Sequence, residues 1–230
     1  MKLIGLIGGM SWESTTHYYE IINNIIKEKL GGFHSAKCLL YSVDFHEIEE
    51  CQRKNEWDKS AEILADAAIK LEKAGASFII ICTNTMHKVA DKIQTKIKIP
   101  IIHIAEPTIQ ELKNDGIKKV GLLGTKYTMQ QDFYKLKLID SGIEVIIPNE
   151  MDIEKVNSII FNELCMGSIL NTSKEIYLKV IEDLSARGAE GIILGCTEIG
   201  MLVKQADTKI PLYDTTYIHA QKAALLSIED

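Results

Sequence analysis

The chain repeats itself, and the repeat fixes more of the fold than any single motif. Gly121-Leu122-Leu123-Gly124 echoes Gly5-Leu6-Ile7-Gly8, Cys196 echoes Cys82, and Ile210-Pro211-Leu212-Tyr213 echoes Ile99-Pro100-Ile101-Ile102, at offsets of 116, 114 and 111 in a chain of 230 residues. Offsets so close to half the length imply one architecture built twice. Each cysteine stands where an apolar strand ends and a helix is expected to begin, the place where open α/β sheets gather their ligands. The expected fold is therefore α/β, with two pseudo-symmetric doubly wound parallel-sheet domains. A pseudo-two-fold axis between them would turn the two thiols toward one interdomain active site.

The hydrophobic pattern fills in this plan. Leu3 to Ile7 is a short apolar run closed by Gly8-Gly9 and reads as a buried parallel strand. Ser11 is placed to cap a helix whose apolar positions Tyr18, Ile21, Ile22, Ile25 and Ile26 keep helical spacing until Gly31-Gly32. Cys38 to Val43 and Phe78 to Ile81 give two more strands, with a long helix marked by Ile63, Leu64, Ala67, Ala68 and Leu71 between them. Thr83 to Lys92 reads as helix, and Ile99 to Ile102 as an edge strand. The second half offers strands at Val120–Leu123, Ile143–Ile147 and Ile192–Leu194. Its helices are expected from about Tyr127, around Val156–Cys165 and around Lys174–Arg187. A last helix, Thr216–Ser227, is expected to return to the first domain. The boundaries drawn are 1–104 plus 214–230 for the first domain and 105–213 for the second.

A formal charge of −6 argues against nucleic acid or an anionic membrane as partner, because both call for a basic face. The start of the chain is interrupted by glycine too early for a signal peptide, and no apolar run approaches the roughly 18 residues of a membrane span. The expected location is the cytoplasm. Five cysteines, an odd number, then read as reduced thiols rather than a disulfide framework.

A free thiol has a pKa of about 8.5 and is mostly protonated at neutrality. A cysteine leading into a helix amino terminus sits in a field that favours its anion. Two such thiols facing each other would remove a proton from one face of a carbon and return one to the other, which is two-base racemisation or epimerisation. Hydroxyl, amide and acid groups crowd the same strand ends: Thr83, Asn84 and Thr85 after Cys82; Thr197 and Glu198 after Cys196; Thr125, Tyr127 and Thr128 after the second Gly-Leu-Leu-Gly turn. They suit a small carboxylate substrate, which helix amino termini also bind.

Taken in order, Ile7-Gly8-Gly9-Met10-Ser11, Cys82-Thr83-Asn84-Thr85-Met86-His87, Leu123-Gly124-Thr125 with Tyr127-Thr128-Met129, Gly195-Cys196-Thr197-Glu198, and Tyr213-Asp214-Thr215-Thr216 with His219 resemble the aspartate/glutamate racemase family across essentially the whole chain. The resemblance implies a cofactor-independent amino-acid racemase, working without pyridoxal phosphate, metal or nucleotide, in a homodimer. It makes Cys82 and Cys196 the catalytic pair. Met10, Ser11, Gln52, Asn84, Thr85, Thr125, Thr128, Thr197 and Glu198 become substrate contacts. Glutamate racemases typically carry histidine where this chain has Glu198, which points to the aspartate racemase branch and its broad-specificity relatives. Aspartate-specific members use a basic side chain from each half. Here the first half offers Cys51-Gln52-Arg53, but the second offers Asn162-Glu163-Leu164-Cys165, with no lysine or arginine. The implied substrate is aspartate, glutamate or a related small polar amino acid, neutral side chains included.

Other readings stay open. A decarboxylase or cis-trans isomerase of a small dicarboxylate would use the same fold, although such decarboxylases typically keep one cysteine. A non-catalytic carboxylate-binding protein would need neither thiol. Cys38, Cys51 and Cys165 read as structural thiols, the last two on helices. His87 reads as a capping or supporting group, and the other histidines as structural or exposed. Glu13 is expected to face solvent or favour its helix start, while Glu198 is placed either to orient Cys196 or to meet a substrate ammonium. Cys82 and His87 lack a second Cys/His pair for a zinc site. Gly5, Gly8 and Gly9 lack dinucleotide-fingerprint spacing.

Overall fold

The structure, a computed structural model, describes residues 1–229. The chain forms two compact units, one comprising Met1–Ile104 together with the chain from His219, the other Ala105–Ile218.

In the first unit β1 (Ile4–Gly8), α1 (Trp12–Leu30), β2 (Cys38–Ser42), α2 (Phe45–Arg53), α3 (Trp57–Lys73), β3 (Phe78–Ile81), α4 (Ala90–Gln94) and β4 (Ile101–Ile102) follow in order. All strand pairs are parallel, in the spatial order β2-β1-β3-β4. Strand side chains alternate between faces. Ile4 and Leu6 of β1 and Phe78 and Ile80 of β3 therefore share one face, packing with Tyr18, Ile22 and Ile26 of α1. Ala220, Ala223 and Ala224 of the last helix join the same cluster, while α3 lies against β1, β2 and β3. Cys82, two residues beyond Ile80, continues that alternation and belongs to the cluster.

The second unit runs α5 (Ala105–Asn114), β5 (Lys119–Gly124), α6 (Lys126–Gln130), α7 (Asp132–Asp140), β6 (Glu144–Ile146), α8 (Glu150–Asn162), α9 (Asn171–Ala186), β7 (Gly191–Gly195), α10 (Ile199–Leu202) and β8 (Leu212–Asp214). Its sheet is parallel in the matching order β6-β5-β7-β8. Ile192 and Leu194 pack with Val156 and Ile160 of α8 and with Tyr177, Ile181 and Leu184 of α9. Cys196 extends this face as Cys82 extends the other. The last helix, α11 (Thr215–Ile228), begins in this unit and belongs to the first from His219. The expected α/β class and the pair of parallel sheets are thus present.

Several elements depart from the periodicity. The helix expected over Thr83–Lys92 is a 3-10 turn, Thr85–Val89, followed by the short α4. There the His87 amide donates to Asn84 O at 3.1 Å and the Thr83 amide to Ile81 O at 2.8 Å, spacings tighter than an α-helix. The helix expected from Tyr127 breaks at Gln131, whose extended backbone separates α6 from α7. The helix expected to reach Cys165 ends at Asn162. Cys165 lies instead in a 3-10 turn closed by Gly167 in the left-handed conformation. The apolar pattern leaves α5 unassigned.

Candidate active site

Both sheets reverse their strand order at a definable point, between β1 and β3 in the first unit and between β5 and β7 in the second. Beyond the carboxyl ends of strands at such a switch point the neighbouring loops run apart and leave room for a ligand. The sequence-predicted residues lie in these four loops, except Thr85 at the start of the 3-10 turn after β3, Gln52 on α2 and Thr128 on α6.

In the first unit the Cys82 amide donates to Ile7 O at 2.9 Å, which sets the β3 loop beside the β1 loop. Gly9 has φ +90°, and a β-carbon there would collide with Val43 O, so only glycine permits this turn. The turn is held by Thr15: its hydroxyl accepts from the Gly9 amide at 2.9 Å and donates to Ser11 O at 2.7 Å. Ser11 caps α1, accepting from the Ser14 amide at 3.4 Å. Met10, Ser11, Asn84 and Thr85 are buried. Gln52, also buried, donates from Nε2 to Met86 Sδ at 3.1 Å, which joins α2 to the Cys82 loop. Glu13 stands in the first turn of α1, the helix-start placement of the two expected, although one carboxylate oxygen is buried without a hydrogen-bond partner among the described residues.

In the second unit Gly124 and Gly195 pair across β5 and β7, and a β-carbon on Gly124 would stand 2.7 Å from Gly195 O. This close backbone approach sets the Thr125 and Cys196 loops side by side. Thr125 caps α6, its hydroxyl accepting from the Thr128 amide at 3.3 Å and lying 3.2 Å from the Thr128 hydroxyl. Glu198 is buried, and its Oε2 accepts from Cys196 Sγ at 3.0 Å and from Thr197 Oγ1 at 2.8 Å. Of its two expected roles, the one toward Cys196 is geometrically present. The Thr197 carbonyl in turn accepts from Thr216 Oγ1 at 3.5 Å, and Leu194 O accepts from Thr215 Oγ1 at 2.8 Å.

The expected thiolate field is outweighed by burial, although the Glu198 backbone amide does act in the expected direction on Cys196. The helical pieces after the cysteines are a five-residue 3-10 turn starting at Thr85 and a four-residue α10. Such short pieces stack few peptide dipoles. Burial dominates, pushing the Cys82 thiol strongly up. Burial also raises Cys196, and the Glu198 carboxylate raises it further. Both thiols therefore carry their protons in this state.

The apolar pattern gives no functional weight to Tyr177, which reads as one more residue in the buried stripe of α9. Its hydroxyl donates to Val156 O at 3.2 Å, and burial, then Cys196 and Glu198, hold its pKa well above the ordinary value. Only electrostatic proximity in the folded chain distinguishes it. Among the described residues no group of three or more His, Cys, Asp or Glu side chains could hold a metal ion, and no helix is long and apolar enough to cross a membrane.

The chain is similar to known proteins over nearly its whole length. It is 27% identical over 219 residues to the broad specificity amino-acid racemase RacX of Bacillus subtilis (strain 168), covering 93% of each chain. A Yersinia pestis structure provisionally described as an Asp/Glu racemase superposes with a TM-score of 0.92 at 54% identity, covering all of both chains. An aspartate racemase homologue from Pyrococcus horikoshii OT3 gives 0.86 at 38%, again covering all of both. The sequence pattern of the Asp/Glu/hydantoin racemase family matches residues 7–223, and the chain belongs to that family of isomerases.

Proposed function

We propose that this chain racemises a small polar amino acid without a cofactor, by two-base chemistry in which Cys82 and Cys196 act on opposite faces of the α-carbon. The observation that carries this reading is the equivalent placement of the two thiols, each two residues beyond the last inward-facing residue of the strand at its sheet's switch point.

For one enantiomer a thiolate takes the α-proton while the other thiol donates from the far side; for its mirror image the roles exchange. Cys196 reaches the thiolate state by passing its proton to Glu198. That transfer leaves the charge of the pair at −1 and so creates no additional buried charge, which a bare ionisation would. The hydroxyls of Thr125, Thr128 and Thr197, with Met10, Ser11, Gln52, Asn84 and Thr85 from the first unit, hold the substrate. Donors aimed at its carboxylate stabilise the enolate-like charge as the proton leaves.

Specificity follows from what surrounds Cys196. Glu163, Glu198 and Tyr177 all act electrostatically in that region and none is cationic. A second carboxylate held there without a cationic partner is costly. We therefore place neutral polar side chains ahead of aspartate. The working form is a homodimer in the cytoplasm.

The test is circular dichroism of amino acids incubated with the enzyme, alongside α-proton exchange in heavy water. Cys82→Ser and Cys196→Ser are each expected to abolish racemisation, while each still exchanges the α-proton of one enantiomer. Wild-type racemisation rates in either variant would disprove the two-thiol scheme.

A further inference from the structure

Three histidines, His87, His103 and His219, are buried together in the first unit. The His87 ring centroid lies 4.5 Å from that of His103 and 5.7 Å from that of His219, and Tyr18 meets His219 edge-on at 5.8 Å. His87 and His219 each have a partner at both ring nitrogens. His87 Nε2 lies 3.1 Å from the Ile104 amide, which can only donate, and His87 Nδ1 lies 2.8 Å from Thr83 O, which can only accept. His87 therefore carries its proton on Nδ1. His219 is reversed: Nε2 donates to Ile102 O at 2.8 Å and, since burial keeps the ring neutral, Nδ1 accepts from the Tyr18 hydroxyl at 3.0 Å. Both rings are neutral, in opposite tautomers.

The partners occupy particular places in the chain. Thr83 follows Cys82. Ile104 is the last residue before the chain leaves for the second unit, and His219 is the first residue on its return. The turn after Cys82 is not α-helical, so no helix ladder holds the Thr83 carbonyl. His87 supplies that restraint and anchors it to the outgoing passage at Ile104. His219 ties the returning helix to Ile102, two residues earlier in the same passage.

We propose that His87 is a positioning residue which, through its neutral Nδ1–H tautomer, fixes the Cys82 turn to the segment joining the two units, with His219 and Tyr18 bracing that segment. This rests on the reading that Cys82 takes part in the reaction. A ring needed only to fill space would be replaceable by another ring; one that sets geometry must keep both its donor and its acceptor.

Two measurements test it. In protein labelled with nitrogen-15 histidine, long-range proton–nitrogen spectra at neutral pH should show His87 protonated on Nδ1 and His219 on Nε2; a proton on His87 Nε2 overturns the proposal whatever any variant does. In steady-state kinetics, His87→Phe keeps a ring but neither bond. It is expected to lose about 30- to 100-fold in kcat with KM within about threefold, the scale of a small misplacement of a reacting group. His87→Gln, with one donor and one acceptor, should recover most of that loss. Wild-type kcat in His87→Phe, or no advantage of Gln over Phe, also overturns the proposal. Should the Phe variant not fold, His87→Gln must retain kcat within about tenfold of wild type, and the tautomer spectrum decides independently. Cys82→Ser, assayed in parallel, separates the two claims: full racemisation there removes the role of Cys82, and the tautomer spectrum alone then decides whether the clamp exists.

Discussion

Cys196 donates its thiol proton to Glu198 across 3.0 Å, and the same carboxylate oxygen accepts from Thr197 at 2.8 Å. The two units differ here. For Cys82 burial alone accounts for the raised pKa, whereas for Cys196 an acidic neighbour adds to burial. Two thiols in equivalent strand-end positions thus sit in different electrostatic settings, and the pseudo-symmetry of the backbone does not extend to the proton inventory.

Glu198→Gln is expected to have opposite effects on ionisation and on turnover. Removing the negative charge removes one cause of the raised pKa, so the Cys196 thiolate should appear at lower pH, followed by thiolate absorbance near 240 nm in the ultraviolet. Racemisation should nevertheless fall by about 10²- to 10⁴-fold, the usual contribution of a positioned proton acceptor. An unchanged rate would show that Glu198 takes no proton.

The sheets were legible because parallel strands buried on both faces read as unbroken apolar runs: Phe78–Ile81 matches its predicted bounds, and Cys38 begins its strand as expected. The candidate residues at strand ends were legible for a related reason, since the repeat marks them twice. The short segments were harder. Thr83 to Val89 reads as helix, but the bond from His87 to Thr83 O competes with the α-helical ladder, and a contact of that kind leaves no periodic trace. His87 was legible as a supporting group, but its partners and Tyr177 were not. An apolar stripe looks the same whether or not a titratable group lies against it, so their partners become visible only in the folded chain.

Thr15→Val tests what holds the turn before α1. Valine matches threonine in shape but has no hydroxyl, leaving the Gly9 amide and the Ser11 carbonyl without these bonds in a buried setting. A loss of about 1–3 kcal/mol in urea unfolding is expected. A stability within experimental error of wild type would mean that Thr15 contributes only its methyl group.

Gly9→Ala and Gly31→Ala separate backbone strain from collision. Both glycines have positive φ, +90° and +71°, but a β-carbon on Gly31 meets nothing within 4 Å, whereas one on Gly9 meets the Val43 carbonyl. Gly31→Ala should cost about 1–3 kcal/mol, because φ +71° with ψ −173° lies in a region that essentially only glycine occupies. Gly9→Ala should cost more and displace the Met10–Ser11 turn, so its KM should rise as its unfolding midpoint falls. Equal destabilisation by the two substitutions would contradict the packing at Gly9.

Acid should destabilise the first unit through its buried histidines. Burial lowers His219 to about 4, while an unfolded histidine titrates near 6.5. Between those values the unfolded chain binds a proton that the native state refuses, so stability rises with pH across this window. The contribution is complete above about pH 6.5 and lost progressively toward pH 4. A shift of this size corresponds to about 3 kcal/mol over the whole window. His87, also lowered by burial and by the neighbouring His103 and His219, acts in the same direction. In urea unfolding between pH 6 and 4.5 the wild type should therefore lose stability faster than His219→Asn, by up to about 1.4 kcal/mol per pH unit. Parallel pH dependences for the two proteins would show that His219 is not held neutral in the folded chain.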